Sequence, residues 1–140
     1  SNKILHQSKL INYFNGNYAK SKIEEDLNKF LKKIKKDKKY VLSIKDKIFL
    51  EALKSDGIEI SKKYEGLYKI NKSEMPADIQ SMIDNKEVGA ALLRIIEVIG
   101  PDKIENIDDD TVYFIINTLN QLDTDLIRNK LLLKVLPLKV

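Results

Sequence analysis

The chain reads as an all-α protein of six to seven helices packed as antiparallel helical hairpins, either α-solenoid-like or as an irregular helical bundle. Three observations carry that expectation. Apolar residues recur at helical spacing along most of the 140 residues. Glycine and proline number only 5 and 3, which leaves few breaks and favours long helices with short connections. No stretch alternates apolar and polar residues between turn signals, so no sheet is expected. The length suits one domain with one core, taken as residues 1–140.

A first helix is expected over Lys3 to Phe14, where Ile4, Leu10, Ile11, Tyr13 and Phe14 fall near helical spacing. Asn15-Gly16-Asn17 stops it, Gly16 being free to take the left-handed conformation that closes a helix. The second runs from about Asn17 to Lys36. Its Ile23, Leu27, Phe30, Leu31 and Ile34 recur at i, i+4, i+7, i+8 and i+11, one stripe of a 3.6-residue period. Ser21 and Glu24 have capping-box spacing and offer an alternative start. Ser43 opens a third helix, with Asp46 at its third position, Ile44, Ile48, Phe49, Ala52 and Leu53 on its apolar side, and Gly57 at its end.

From Ile58 to Ala77 neither period fits. A short helix around Ser61–Tyr68 is expected there, then a loop, then a short helix from Pro76 to about Met82. Val88 to Ile99 is apolar nearly all round, broken only by Arg94 and Glu97, and such a helix is expected at the centre, contacted on several sides. Gly89-Ala90-Ala91 slims its first turn for a close neighbour, and Gly100-Pro101 ends it. Asp108-Asp109-Asp110 precede a helix to about Leu122, and Asp123-Thr124-Asp125 start the last one, which runs to Pro137.

Composition excludes several kinds of chemistry. The absence of Cys removes disulfides, thiolate metal sites and cysteine nucleophiles. The single His, at position 6, leaves no His cluster for a metal. No glycine-rich phosphate loop, HExxH or G-x-S-x-G is present, and no cofactor is expected. No apolar run approaches the roughly 20 residues of a membrane-spanning helix. The net charge of +4 conceals an asymmetry: residues 1–72 carry 18 Lys against 9 Asp and Glu, whereas residues 73–140 carry 7 Lys and Arg against 12. Lys, Ile and Asn are abundant together, as in an AT-rich genome. Ser1-Asn2 reads as a remnant of tag cleavage, with the native N-terminus elsewhere, and the compartment stays open.

The stretch Leu10-Ile11-Asn12-Tyr13-Phe14-Asn15-Gly16-Asn17-Tyr18-Ala19-Lys20-Ser21 resembles the turn of a tetratricopeptide repeat. In that family an aromatic-rich helix ends in Gly, then a polar residue, Tyr and a small residue that packs between helices. Those positions are Gly16, Asn17, Tyr18 and Ser21 here. Gly89 to Val140 is similar to the closing helices of an α-solenoid. The resemblance implies a helical surface that binds a protein or peptide, with no chemistry.

The residues expected to bind such a partner are Tyr13, Tyr18, Lys32, Lys33, Lys36, Tyr40 and Arg94, because tyrosine beside lysine suits peptide recognition. The leading expectation is therefore a non-enzymatic helical scaffold for a protein or peptide. The alternative is nucleic-acid or anionic-surface binding through the Lys32–Lys39 face, which holds six lysines. An enzyme built on carboxylates and Arg94 is the third reading. His6 has no carboxylate nearby in sequence and is expected at the surface or half-buried. Asp108–Asp110, Asp123 and Asp125 are expected to cap helices. Arg94 is expected in a buried pair with Glu97 or a partner elsewhere, or in an anion pocket, and Glu87 stands near it in sequence. Asn71-Lys72-Ser73 matches the glycosylation pattern, a frequent chance match.

Overall fold

A computed structural model of the chain describes residues 4–68, 77–100 and 106–137. Among the described residues lie seven α-helices: α1 Lys20–Lys36, α2 Ile44–Ser55, α3 Glu65–Tyr68, α4 Ala77–Asp84, α5 Val88–Ile99, α6 Asp109–Gln121 and α7 Asp125–Val135. Three 3₁₀ segments, Leu5–Gln7, Lys9–Asn15 and Lys62–Tyr64, complete the ordered elements, and no strand occurs among them. The fold is all-α, as the periodicity predicts.

The helices close into an irregular bundle. α2 packs chiefly on α6, and α7 packs on the Lys9–Asn15 segment, so elements far apart in sequence meet. A solenoid brings each unit against its sequence neighbours alone. The cause is the breadth of the apolar face of α2: Ile48, Phe49, Leu50, Ala52 and Leu53 are all buried, too wide a surface for one neighbouring helix to cover. Around it gather Ile23, Leu27 and Leu31 of α1, Ile115, Ile116 and Leu119 of α6, and Leu132 and Val135 of α7.

The central helix is thus α2, and the expectation for Val88–Ile99 fails. That stretch forms α5 over the expected range, but at the periphery. Ala91 and Ile95 are buried, while Leu93 and Ile96 remain 63% and 62% exposed. α5 pairs with α4 over a small cluster of Ile79, Ile83, Ala91 and Leu122, while Ile95, with Leu92 and Ile99 beside it, joins the main core. The slim first turn has no tight neighbour either, since a Cβ added at Gly89 would meet nothing within 4 Å. Apolar composition sets how much a helix can bury; the neighbours set how much it does.

Local signals decide the helix ends unevenly. Over the described part of the expected first helix, Ile4–Phe14, no α-helix forms, because Ser8 is extended and its hydroxyl donates to the Leu5 carbonyl at 2.7 Å, breaking the run into two 3₁₀ segments. Gly16 closes the second of them with φ +86°. The Ser21–Glu24 box does not form: Ala19 precedes α1, and Glu24 Oε1 instead accepts from the Glu59 N–H at 2.9 Å. The box at α2 does form, Ser43 Oγ accepting from the Asp46 N–H and Asp46 Oδ2 from the Ser43 N–H, both at 3.1 Å. Asp108 caps α6 by accepting from the Thr111 N–H at 2.7 Å, and the Thr111 side chain first, then that N–H, holds its carboxyl below the usual range. Asp123 caps nothing. It adopts φ +54°, and Thr124 occupies the cap position without a side-chain bond. Asp125 lies in the first turn of α7, a site the helix dipole favours. The expectations on Ser1-Asn2, Asn71–Ser73, Pro76 and Pro101 lie outside the described residues.

Candidate functional site

Three places gather polar side chains. The first is buried beneath the start of the chain. His6 is only 7% exposed, against the expectation of a surface or half-buried ring, and its Nδ1 lies 2.6 Å from Asp46 Oδ1. The His6 N–H donates to the same oxygen at 3.0 Å, and the Tyr40 hydroxyl donates to Asp46 Oδ2 at 3.1 Å. The Leu5 N–H in turn donates to the Tyr40 oxygen at 3.0 Å. Burial works to push the Asp46 carboxyl up, but the bonds from His6 and Ser43 together hold it below the usual carboxylate range. Burial also pushes the Tyr40 phenol up to about 12, with the Asp46 charge adding to it against the Leu5 N–H. Ser43 Oγ, 3.4 Å away, approaches the same ring nitrogen as Asp46. A nucleophilic relay needs the hydroxyl on one ring nitrogen and the carboxylate on the other. This arrangement therefore serves to latch the N-terminal segment onto α2.

The second place contains the arginine that sequence reasoning missed. Arg128 of α7 is fully buried, and its guanidinium meets the Asp56 carboxylate at two 2.8 Å contacts. Asn120 and Asn129 oxygens accept its remaining protons at 2.8–3.2 Å, and it lies 5.9 Å from the Phe14 ring centre. Tyr13 completes the cluster, donating its hydroxyl to Asp56 at 2.8 Å. Burial first, then the bond to Asp56, pushes that phenol well up. The signal was present: Arg128, Leu132 and Val135 form one i, i+4, i+7 stripe and are the buried residues of α7, whereas Leu126 is 80% exposed. Arg94 pairs with Glu97 as expected, but not in a buried setting. Its side chain is 40% exposed and pairs with Asp78 at 3.3 Å and Glu97 at 3.2 Å, so neither a buried pair nor an anion pocket forms around it. Glu87, at the start of α5, is exposed and makes no cap bond.

The third place is open to solvent. A groove of about 690 Å³ runs between residues 8–10 and the side of α1, with Tyr40 in its lining. Leu10, Phe30, Ile34 and Tyr40 supply apolar floor, and Lys9, Lys29 and Lys33 stand on its rim. The two carboxylates in the lining are already engaged. Asp26 accepts from the Tyr18 hydroxyl and pairs with Lys22 at 3.4 Å, and Asp37 accepts from the Lys39 N–H at 3.0 Å. The Tyr18 bond, with Lys22 helping and burial opposing, holds the Asp26 carboxyl low, while burial and the bond to Asp26 push the Tyr18 phenol up to about 12. Lys29 is bonded to Glu25 at 2.9 Å, whereas the Lys33 ammonium has no partner among the described residues. An apolar trough edged by available cations is suited to holding a ligand that is part apolar and part anionic.

The opposite flank of α1 is occupied by the chain itself. Asn28 accepts from the Ser61 N–H at 3.1 Å and donates to the Glu59 carbonyl at 3.3 Å, gripping the backbone that follows Gly57. Lys32 borders that wider depression together with Lys54 and Lys62. Of the seven residues expected to bind a partner, the structure thus brings only Lys33 and Tyr40 into the groove. Tyr18 stands behind it through Asp26, Tyr13 belongs to the Arg128 cluster, Lys32 faces the other depression, and Lys36 is simply exposed. Among the described residues no group of three or more His, Asp or Glu could hold a metal ion. No helix among them is long and apolar enough to cross a membrane. Comparison with protein-family models, with curated proteins and with solved structures yields no match to this chain.

Proposed function

We propose that this chain is a non-enzymatic helical binding domain that takes an acidic segment of a partner protein into the groove between residues 8–10 and α1. The observation that carries the reading is the pairing of an apolar floor, Leu10, Phe30 and Ile34, with a lysine rim whose Lys33 has no counter-ion among the described residues. A side chain such as Leu or Phe would fill the trough, and flanking Asp or Glu would meet Lys9 and Lys33. The apolar contact supplies affinity and the rim charges supply orientation and speed of encounter.

A displayed random-peptide library panned against the intact chain tests it. Enriched sequences should place two or more carboxylates beside one large apolar residue, and they should shift the amide resonances of Lys9, Leu10, Phe30 and Lys33. Reversing two charges with Lys9→Glu and Lys33→Glu should weaken the best peptide by about tenfold or more. Selected peptides without acidic bias, or binding indifferent to that reversal, would refute the reading.

One observation favours a second reading. Lys32, Lys33, Lys36 and Lys38 are exposed, with no ion pair among the described residues, and form a cationic end to α1. Nucleic acid or an anionic surface would neutralise them. Affinity for a generic duplex should then fall steeply with salt and vanish on charge reversal at Lys32, Lys33 and Lys36, and flat, negligible binding at low salt removes this reading.

A further inference from the structure

The buried latch and the open groove share side chains. Tyr40 lines the groove, and its hydroxyl belongs to the latch, accepting from the Leu5 N–H at 3.0 Å and donating to Asp46 Oδ2 at 3.1 Å. Ser8 has the same double place in the wall formed by residues 8–10. Its hydroxyl donates to the Leu5 carbonyl at 2.7 Å and accepts from the Leu10 N–H at 3.3 Å, and both Ser8 and Leu10 line the groove. Leu5 joins the two, its N–H tied to Tyr40 and its carbonyl to Ser8. A continuous chain of hydrogen bonds thus runs from Asp46 through Tyr40, Leu5 and Ser8 to Leu10.

We infer that Asp46 gates the groove, holding residues 5–10 and Tyr40 together as a clasp so that latch and groove open and close as one unit. The inference rests on the groove being the binding site. Asp46 is 1% exposed and is not part of the groove lining, so it acts on a ligand there only by positioning the wall. With the carboxylate in place, residues 5–10 cannot lift without breaking the chain of bonds and baring Leu5 and Leu10, 0% and 3% exposed. Without it, the His6 N–H and the Tyr40 hydroxyl lose their acceptor in a buried place, and lifting the segment into water relieves both. The following residues are held separately, Tyr13 by Asp56 and Phe14 by its edge-on contact with Phe49. Opening therefore stops short of them and leaves the bundle closed. A ligand that needs the wall binds only the clasped state, and by linkage it holds the clasp shut.

Amide hydrogen exchange of the intact chain, followed by NMR, tests the inference first without any ligand. Asp46→Ala should quicken exchange at Leu5, His6, Leu10 and Ile11 together by about tenfold or more, as expected for loss of a buried charged acceptor. Tyr40→Phe keeps the ring and removes the hydroxyl, and should quicken the same four by about threefold; it decides the matter should Asp46→Ala not fold. Ser43→Ala weakens the start of α2 but leaves the bonds from Asp46 to His6 and Tyr40, so those four rates should not move. Leu10 and Ile11 unmoved while Leu5 and His6 quicken, or Ser43→Ala quickening all four as much as Asp46→Ala, overturns the proposal.

The acidic peptide selected by display supplies the second arm. At about nine times its Kd it should slow all four amides about tenfold, Leu5 and His6 included, although neither lines the groove. A bound peptide that slows Leu10 and leaves Leu5 and His6 at their free rates overturns the coupling. A chain that binds no such peptide refutes the groove as the binding site, and the exchange rates of the variants still decide whether Asp46 holds the wall.

Discussion

Replacing Asp56 by Ala should be the most damaging single change outside the apolar core. The guanidinium of Arg128 is fully buried, and Asp56 neutralises it through two contacts of 2.8 Å. Removing the carboxylate leaves the charge facing only the amide oxygens of Asn120 and Asn129 and an exposed Asp125 at 3.8 Å. Two charges about 4 Å apart interact by about 4 kcal/mol at an effective dielectric of about 20. Stranding one member of a buried pair destabilises by about 3–5 kcal/mol, which agrees. An opposing effect is small: Asp56 is the C-cap residue of α2, where a carboxylate meets the negative end of the helix dipole, and relief there returns at most about 0.5 kcal/mol. The net loss should be about 3–4 kcal/mol, or a melting midpoint lower by about 10–15 °C for a chain of this size.

Urea denaturation followed by circular dichroism measures it. The double substitution Asp56→Ala with Arg128→Met should be more stable than Asp56→Ala alone, because it removes the stranded charge while a side chain of similar length still lies against Phe14. A loss below about 1 kcal/mol for Asp56→Ala, or a double substitution no better than the single one, would refute the account of the cluster.

Four further outcomes are expected. The Asp46 carboxyl is held below its unfolded-state value, so its contribution is fully present above the ordinary carboxylate pKa of about 4 and is lost as pH falls through the folded value. Stability measured from pH 6 down to pH 2 should therefore drop more steeply in the native chain than in Asp46→Asn, and parallel profiles would contradict the bond network. Ser43→Ala removes the capping box of α2 and should lower stability by about 1 kcal/mol, read from the urea midpoint. Gly57→Ala places a Cβ in open space but at φ +85°, so a loss of about 1 kcal/mol in the same assay would come from backbone strain alone. In α5, Ile95→Ala should lose about 2–4 kcal/mol, whereas Leu93→Ala should stay within about 0.5 kcal/mol in thermal melts; equal losses would mean that α5 is more enclosed than its exposure indicates.

Helix positions were legible wherever a chemical signal and an apolar period coincided. Ser43 with Asp46, the stripe of Ile23, Leu27, Leu31 and Ile34 in α1, Gly16 and Asp108 each act over three or four residues, and each holds in the structure. Signals of the same kind failed where a distant group competed for the same atoms. Ser21 and Glu24 have the spacing of a cap, yet the Glu24 carboxylate bonds the backbone of Glu59, 35 residues away. His6 looked solitary because its carboxylate lies 40 positions further along. The candidate groove was half legible: Lys33 and Tyr40 stood out by composition, but Lys9 and Leu10 entered it only when the N-terminal segment folded against α1.

What the residues determined alone was secondary structure and amphipathicity, since hydrogen bonds between near neighbours and the helical period are local properties of the chain. Which faces met was decided by tertiary packing. α5 has the more apolar composition, yet α2 took the centre because its broad buried face could be covered by α6 and by the N-terminal segments together. The same holds for the two arginines. Each sits on an apolar helix, but only Arg128 points at the face that packs, where a carboxylate from another helix end was available to neutralise it. Burial depends on the sum of contacts from all sides, and that sum exists only once the chain is folded.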